Sequence, residues 1–165
     1  MPGRPPSSTR ALDAVVEQLR SYATRGVFRE FSANVVSVRR VDFRFVWLTT
    51  KPLHAQFDAR SSVLKLVDLL PGVEPRSSMD RALRSFLKAR FSPALPAHRR
   101  LSSALVRGLS CSNRNGRVTI GLTLNRRRPG EGARQAVLLI SEIFQGFLAG
   151  PYHEYMVVNF DIPED

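Results

Sequence analysis

The stretch that decides the fold is Leu105-Val106-Arg107-Gly108-Leu109-Ser110-Cys111-Ser112-Asn113-Arg114-Asn115-Gly116-Arg117-Val118-Thr119-Ile120-Gly121-Leu122-Thr123-Leu124-Asn125. Asn115-Gly116 tolerates the positive φ angles of a type I′ turn, the tight connection that suits two twisted antiparallel strands. Beyond it Val118, Ile120, Leu122 and Leu124 share one face while Thr119, Gly121 and Thr123 share the other. That period of two marks a strand with one face buried. The spacing predicts a hairpin of strands over 105–112 and 117–125, with Asn113-Arg114 available to lengthen its loop.

Working outward, residues 91–103 hold Pro93 and Pro96 and read as a long connection. Before it, Met79, Leu83, Phe86 and Leu87 form the apolar stripe of a helix, with Ser77 or Ser78 as N-cap and Asp80 in its first turn. Pro71-Gly72 closes an earlier block of strands, expected at 31–38, 41–48, 54–60 and 63–70. In the second of these Val41, Phe43, Phe45 and Trp47 alternate onto the core face. Ser61-Ser62 turns the third strand into the fourth. An opening helix over 9–24 buries Leu12, Val15, Val16, Leu19 and Tyr22, and Gly26 ends it. Downstream, residues 126–132 read as an exposed loop, 133–149 as a third helix stopped by Gly150-Pro151, and 155–160 as a final strand.

The order is therefore helix, three or four strands, helix, two strands, helix, with a short strand to finish. This is an α+β chain with helices packed on a largely antiparallel sheet. A length of 165 residues suits one domain, read as 10–165 behind a flexible leader at 1–9 that holds three prolines. With 43% hydrophobic and 24% charged residues the chain has globular composition. No apolar run approaches the roughly 20 residues of a membrane span, so no membrane partner is expected. The start lacks the apolar core of a secretory signal, and Cys111 is the only cysteine. Both point to a reducing, cytoplasmic setting.

Charge is unevenly distributed. The net charge is +11, and 22 of the 25 cations are arginine. Residues 81–134 carry 13 basic groups and one acid, Glu131, whereas 135–165 carry five acids and no Lys or Arg. Such a segment either meets an anionic partner or is neutralised by the acidic C-terminal part folding beside it. Arg99, Arg100, Arg107, Arg114, Arg117, Arg126, Arg127 and Arg128 are the candidate anion- or nucleic-acid-binding residues, since clustered cations gain affinity for phosphates through counterion release. Residues 92–134 hold no Phe, Tyr or Trp, so the aromatic platforms of single-strand readers are missing.

Enzyme motifs are sparse. Gly130-Glu131-Gly132 is too short for a phosphate loop, although a helix starting beside three arginines can hold an isolated anion. His54, His98 and His153 have no metal-ligand spacing with Cys111. Ser85 and Lys88 share the Ser-x-x-Lys spacing of one nucleophile class without its companion motifs. Cys111, mid-strand, reads as a small buried hydrophobe. No catalytic residue, metal ligand or cofactor is assigned. The third helix is apolar on more than one stripe, so either the sheet and other helices enclose it or a second subunit does. Leu138, Leu139, Phe144 and Phe147 are the candidate dimer or partner face.

The element order, carried by the helix at Leu12–Tyr22, the strand block Phe31–Leu70, the helix Met79–Arg90, the Asn115-Gly116 hairpin and the helix Val137–Leu148, resembles that of type III secretion chaperones and the YbjN family. The resemblance implies a non-catalytic dimer that holds a partner segment against its sheet or helix surface. The chain departs from such chaperones in charge, since they are typically acidic, and no functional residue is carried over. The expected function is a protein-interaction module for an unknown protein partner. The alternative is a nucleic-acid-associated protein using the basic 81–134 region.

Overall fold

In a computed structural model, which describes residues 7–160, the chain forms one antiparallel six-stranded sheet with its helices layered on one face. The elements are α1 (Ser7–Thr24), β1 (Arg29–Val35), β2 (Arg40–Val46), β3 (Leu53–Asp58), β4 (Val63–Leu70), α2 (Ser78–Lys88), β5 (Val106–Arg114), β6 (Arg117–Leu124), α3 (Pro129–Glu142) and α4 (His153–Phe160). Spatial strand order is β1-β2-β3-β4-β6-β5. The β5–β6 hairpin therefore adds to the first four strands with β6 inside and β5 at the edge. The α+β class and its order of helices and strands through α3 are as the sequence predicts. The first six residues of the expected leader lie outside the described residues, and α1 begins at Ser7.

Alternation places the core. Val41, Phe43 and Phe45 of β2, Leu53, Ala55 and Phe57 of β3, Leu64 and Leu66 of β4, and Val118, Ile120, Leu122 and Leu124 of β6 are buried beneath the helices. Leu12, Val15 and Leu19 of α1 and Ala133, Ala136, Val137, Leu139 and Ile140 of α3 close over them. Gly26, at φ +78°, ends α1 in a Schellman arrangement: its N–H donates to the Ala23 carbonyl, and the Val27 N–H donates to that of Tyr22. Asn115 and Gly116, at φ +53° and +89°, make the two-residue turn, with Arg114 and Arg117 directly paired across it. The opposite sheet face is polar and open, as one face of an antiparallel sheet commonly is.

Two expectations are corrected. Residues 155–160 form the end of helix α4, not a strand. The β-branched Val157 and Val158 suggest a strand. Tertiary packing overrides them, because Met156 and Phe160, four residues apart, put one helical face into the core. The Phe160 ring meets Phe144 edge-on at 5.3 Å, and the Tyr155 hydroxyl donates to the Pro71 carbonyl at 2.5 Å. Secondly, α3 starts at Pro129, not Ala133. Proline suits the first helical position, where its missing N–H costs nothing, and Glu131 favours the first turn's positive dipole end. Gly130 and Gly132 serve packing. A Cβ at 130 would lie 3.2 Å from the Ala14 carbonyl oxygen, and one at 132 would lie 3.0 Å from Leu124.

Candidate functional site

Among the described residues, both edges of the sheet carry backbone groups that no neighbouring strand pairs, and such edges recruit further strands. The two edges differ. β1 is interrupted by a bulge between Arg29 and Ser32, where Glu30 takes φ +52°. In β5 the bulge falls early, between Val106 and Gly108, and register then runs unbroken from Gly108 to Arg114. Because Arg114 and Arg117 close the hairpin as a directly bonded pair, alternate residues Ser112 and Ser110 also exchange bonds with β6. Leu109, Cys111 and Asn113 point their N–H and C=O groups outward. The Cys111 carbonyl confirms this direction, since it accepts from Arg84 Nη1 of α2 at 2.9 Å. Among the described residues no other element bonds the backbone of Leu109.

Beside this edge, on the helical side, lies a groove of about 510 Å³ lined by Arg84, Leu87, Lys88, Phe91, Leu109, Ser110 and Cys111. The half-buried side chains of Leu109 and Cys111 form one wall, and Leu87 and Phe91 the other. Burial raises the Cys111 thiol pKa, and the nearby Arg84 only partly offsets this, so the thiol stays protonated at neutral pH and adds apolar surface rather than a nucleophile. Arg81, Arg84 and Lys88, at helical spacing and all exposed, form a basic rim along α2. Ser85 is exposed and lies outside the lining.

A polar network fixes α2 against β5. The Ser77 hydroxyl accepts from the Asp80 N–H at 3.1 Å, and Asp80 Oδ2 accepts from the Arg76 N–H at 2.9 Å, which is a reciprocal capping arrangement. The Asn113 amide donates to the Val73 carbonyl at 2.8 Å and approaches Asp80 Oδ1 at 3.4 Å, while Arg84 Nε stands 3.5 Å from the same oxygen. Burial alone would raise the Asp80 pKa, but the Arg76 N–H, the Asn113 amide and Arg84 together hold it below its ordinary value.

The far end of the groove rests on a second network. Arg90 and Glu142, with side chains only 7% and 11% exposed, pair at 2.9 Å. Arg99 reaches the same Glu142 oxygen at 3.1 Å. Arg90 Nε donates to the Phe86 carbonyl at 3.0 Å, and its guanidinium lies 3.7 Å from the Phe86 ring centroid. This clamp ties the connection after α2 to the end of α3, where the helix widens into a π turn over Ile143–Phe147.

The arginines singled out from sequence do not share one surface. Arg99 is engaged with Glu142 on the helical side, and the half-exposed Arg100 follows it. Arg114 and Arg117 flank the hairpin turn at one end of the sheet. Arg107, Arg126, Arg127 and Arg128 stand at the other end, where Arg126 Nη2 donates to the Arg60 carbonyl at 2.8 Å. Arg128 pairs with Glu131 in the first turn of α3, so that turn already carries a carboxylate. Of the candidate partner face, Leu139, Phe144 and Phe147 are buried within the chain and Leu138 is half-buried. The chain's own sheet and helices thus cover three of the four.

Of the groove residues, Leu109 has no motif in the sequence, and Lys88 is singled out there only for its spacing from Ser85, not as part of a binding groove. The signal for the groove is position, on an edge strand and a helix that the strand order brings together. Among the described residues no cluster of three His, Cys, Asp or Glu is placed to hold a metal ion, and no helix is long and apolar enough to cross a membrane. Compared with known proteins, the chain matches no family model, no curated protein and no solved structure.

Proposed function

We propose that the protein is a non-catalytic interaction module that captures an extended, acidic and apolar segment of another protein along β5. The observation that carries this reading is the conjunction of a free strand edge at Leu109 with the apolar groove beneath it. An added strand takes its main-chain bonds from the Leu109 N–H and C=O and the Cys111 N–H, while its alternate apolar side chains enter between Leu87, Phe91, Leu109 and Cys111. Acidic residues on the flanking positions meet Arg81, Arg84 and Lys88. The Cys111 carbonyl remains with Arg84.

The test uses synthetic peptides of about ten residues, long enough for one strand, with Val or Leu at the central groove-facing positions, Glu at the outer groove-facing positions and Thr at the alternate positions that face the open side of the sheet. Binding is followed by fluorescence anisotropy. Leu109→Pro removes an outward N–H without touching the β6 ladder, so the fold is retained and binding falls at least tenfold, equivalent to about 1.4 kcal/mol. Lys88→Glu weakens the acidic peptide and spares a matched neutral one. Equal binding of the acidic peptide to wild type, Leu109→Pro and Lys88→Glu defeats the proposal.

A second reading has one observation in its favour. Arg126 and Arg127, with Arg60 and Arg107, lie at one end of the sheet, a concentration of basic groups suited to nucleic-acid phosphates. Duplex and single-stranded DNA and RNA binding over a salt series, with Arg126→Ala and Arg127→Ala, tests it. A steep salt dependence lost in those variants supports phosphate contact, and no binding at low salt removes it.

A further inference from the structure

The open face of the sheet carries a second concavity, separate from the α2–β5 groove and sharing only Ser110 with it. Its volume is about 430 Å³, and its lining includes Lys65, Asp68, Arg114, Arg117, Thr119 and Gly121. The strand register explains how these come together. Gln56, Lys65, Gly121 and Ser110 form one row across β3, β4, β6 and β5. Gly121 leaves the floor of that row empty beside the long Lys65 side chain. A methyl group there would lie 2.6 Å from Ser110 Oγ, so any side chain at 121 displaces the serine and raises the floor. One wall comes from a register shift in β4 between Leu66 and Leu70, where Asp68 takes φ +48° and donates its N–H to Thr119 Oγ1 at 3.0 Å. Bulges of this kind sharpen local twist.

The trough has two basic poles. Lys65 marks one, and the Arg114–Arg117 pair marks the other, four residues away along the register and therefore about 13 Å distant at the backbone. Asp68 stands 3.7 Å from Arg117 and offsets part of that pole, which leaves the lining with a net charge of +2. Ser110, Ser112 and Thr119 place hydroxyls between the poles. The Thr119 hydroxyl already accepts from Asp68, so its proton is directed to donate elsewhere. No aromatic side chain lines the trough, so it offers nothing on which a nucleobase can stack.

We propose that this trough binds an elongated, non-aromatic polyanion of the oligophosphate class, with one oxyanion group at Lys65 and another at Arg114 and Arg117. Guanidinium groups supply bidentate, charge-assisted bonds to such oxygens, and the intervening hydroxyls donate along the chain. The proposal is independent of the peptide groove.

Inorganic tripolyphosphate is the probe, titrated calorimetrically against the full chain at low salt. Wild type gives saturable 1:1 binding, and Lys65→Gln and Arg117→Gln each weaken it at least fivefold. Gly121→Thr abolishes it without altering charge, its melting curve reporting that the fold persists. Arg10→Gln, exposed on α1 and across the sheet from the trough, leaves it unchanged. Absence of binding overturns the proposal, as does binding that Arg10→Gln weakens as much as Lys65→Gln does, because that is general attraction to a basic protein. Tighter, Lys65-dependent binding of oligothymidine at matched phosphate concentration also overturns it, in favour of nucleic acid.

Discussion

Replacing Glu142 by alanine should be among the most damaging single substitutions outside the apolar core. The carboxylate is the sole acidic partner of Arg90 among the described residues, at 2.9 Å, and both side chains are nearly excluded from water. Burial lowers the Arg90 pKa, and Glu142 acts against that shift, so its removal leaves a charged guanidinium buried and short of a counter-ion. Breaking such a pair from one side costs about 3–5 kcal/mol. Two features put this site at the lower end. Arg90 keeps the Phe86 carbonyl and ring, and Arg99, with 43% of its side chain exposed, swings to solvent. The expected loss is therefore about 3 kcal/mol, or a fall in Tm of about 6–12 °C for a chain of this size. Urea denaturation monitored by circular dichroism measures it, with an unchanged slope reporting an unchanged unfolding reaction. The double variant Arg90→Met, Glu142→Leu removes both charges and should return to within about 1 kcal/mol of wild type. A loss below about 1 kcal/mol in Glu142→Ala, or a double variant as unstable as the single one, refutes the reasoning.

Three further outcomes follow from the packing. Asp80→Asn is less stable than wild type at pH 7 by about 1–2 kcal/mol, the scale of hydrogen bonds to a charged group. The folded-state pKa of Asp80 lies below its ordinary 3.8, so its contribution is complete above that value and disappears as pH falls through the folded value. The gap between variant and wild type, followed by urea midpoints from pH 7 down to pH 3, must narrow. Asn115→Val forces a β-branched residue to φ +53° and costs about 1–3 kcal/mol, while Asn115→Gly is near neutral, as thermal melts of the two will show. Gly132→Ala puts a methyl 3.0 Å from Leu124, and the overpacking, about 1–3 kcal/mol, lowers the urea midpoint.

Much of the fold was legible because local chemistry and tertiary demand agree. The alternation of Val118 through Leu124 and the Asn115-Gly116 turn specify the hairpin without help from the rest of the chain. Leu83 and Leu87 with Ser77 and Asp80 do the same for α2. The failures lie where long-range packing decides. Val157 and Val158 favour a strand, yet Met156 and Phe160 find a core only as a helix. Pro129 and two glycines look like a loop until Ala14 and Leu124 are seen to require close approach. The candidate site was less legible still. Counting arginines along the chain cannot tell that 114 and 117 sit at the opposite end of the sheet from 126 and 127, because that depends on strand direction. The groove arises from β5 lying at an edge beside α2, which no local pattern encodes.

The most direct test of the central claim is amide hydrogen exchange at Leu109 and Cys111, read by NMR with and without the acidic strand peptide. The account predicts that the Leu109 and Cys111 amides exchange rapidly in the free protein, unlike those of Ser110 and Ser112, which bond to β6. Saturating peptide should protect both. Protection of Leu109 already present in the free protein, or exchange at Leu109 and Cys111 that peptide leaves unchanged, contradicts it.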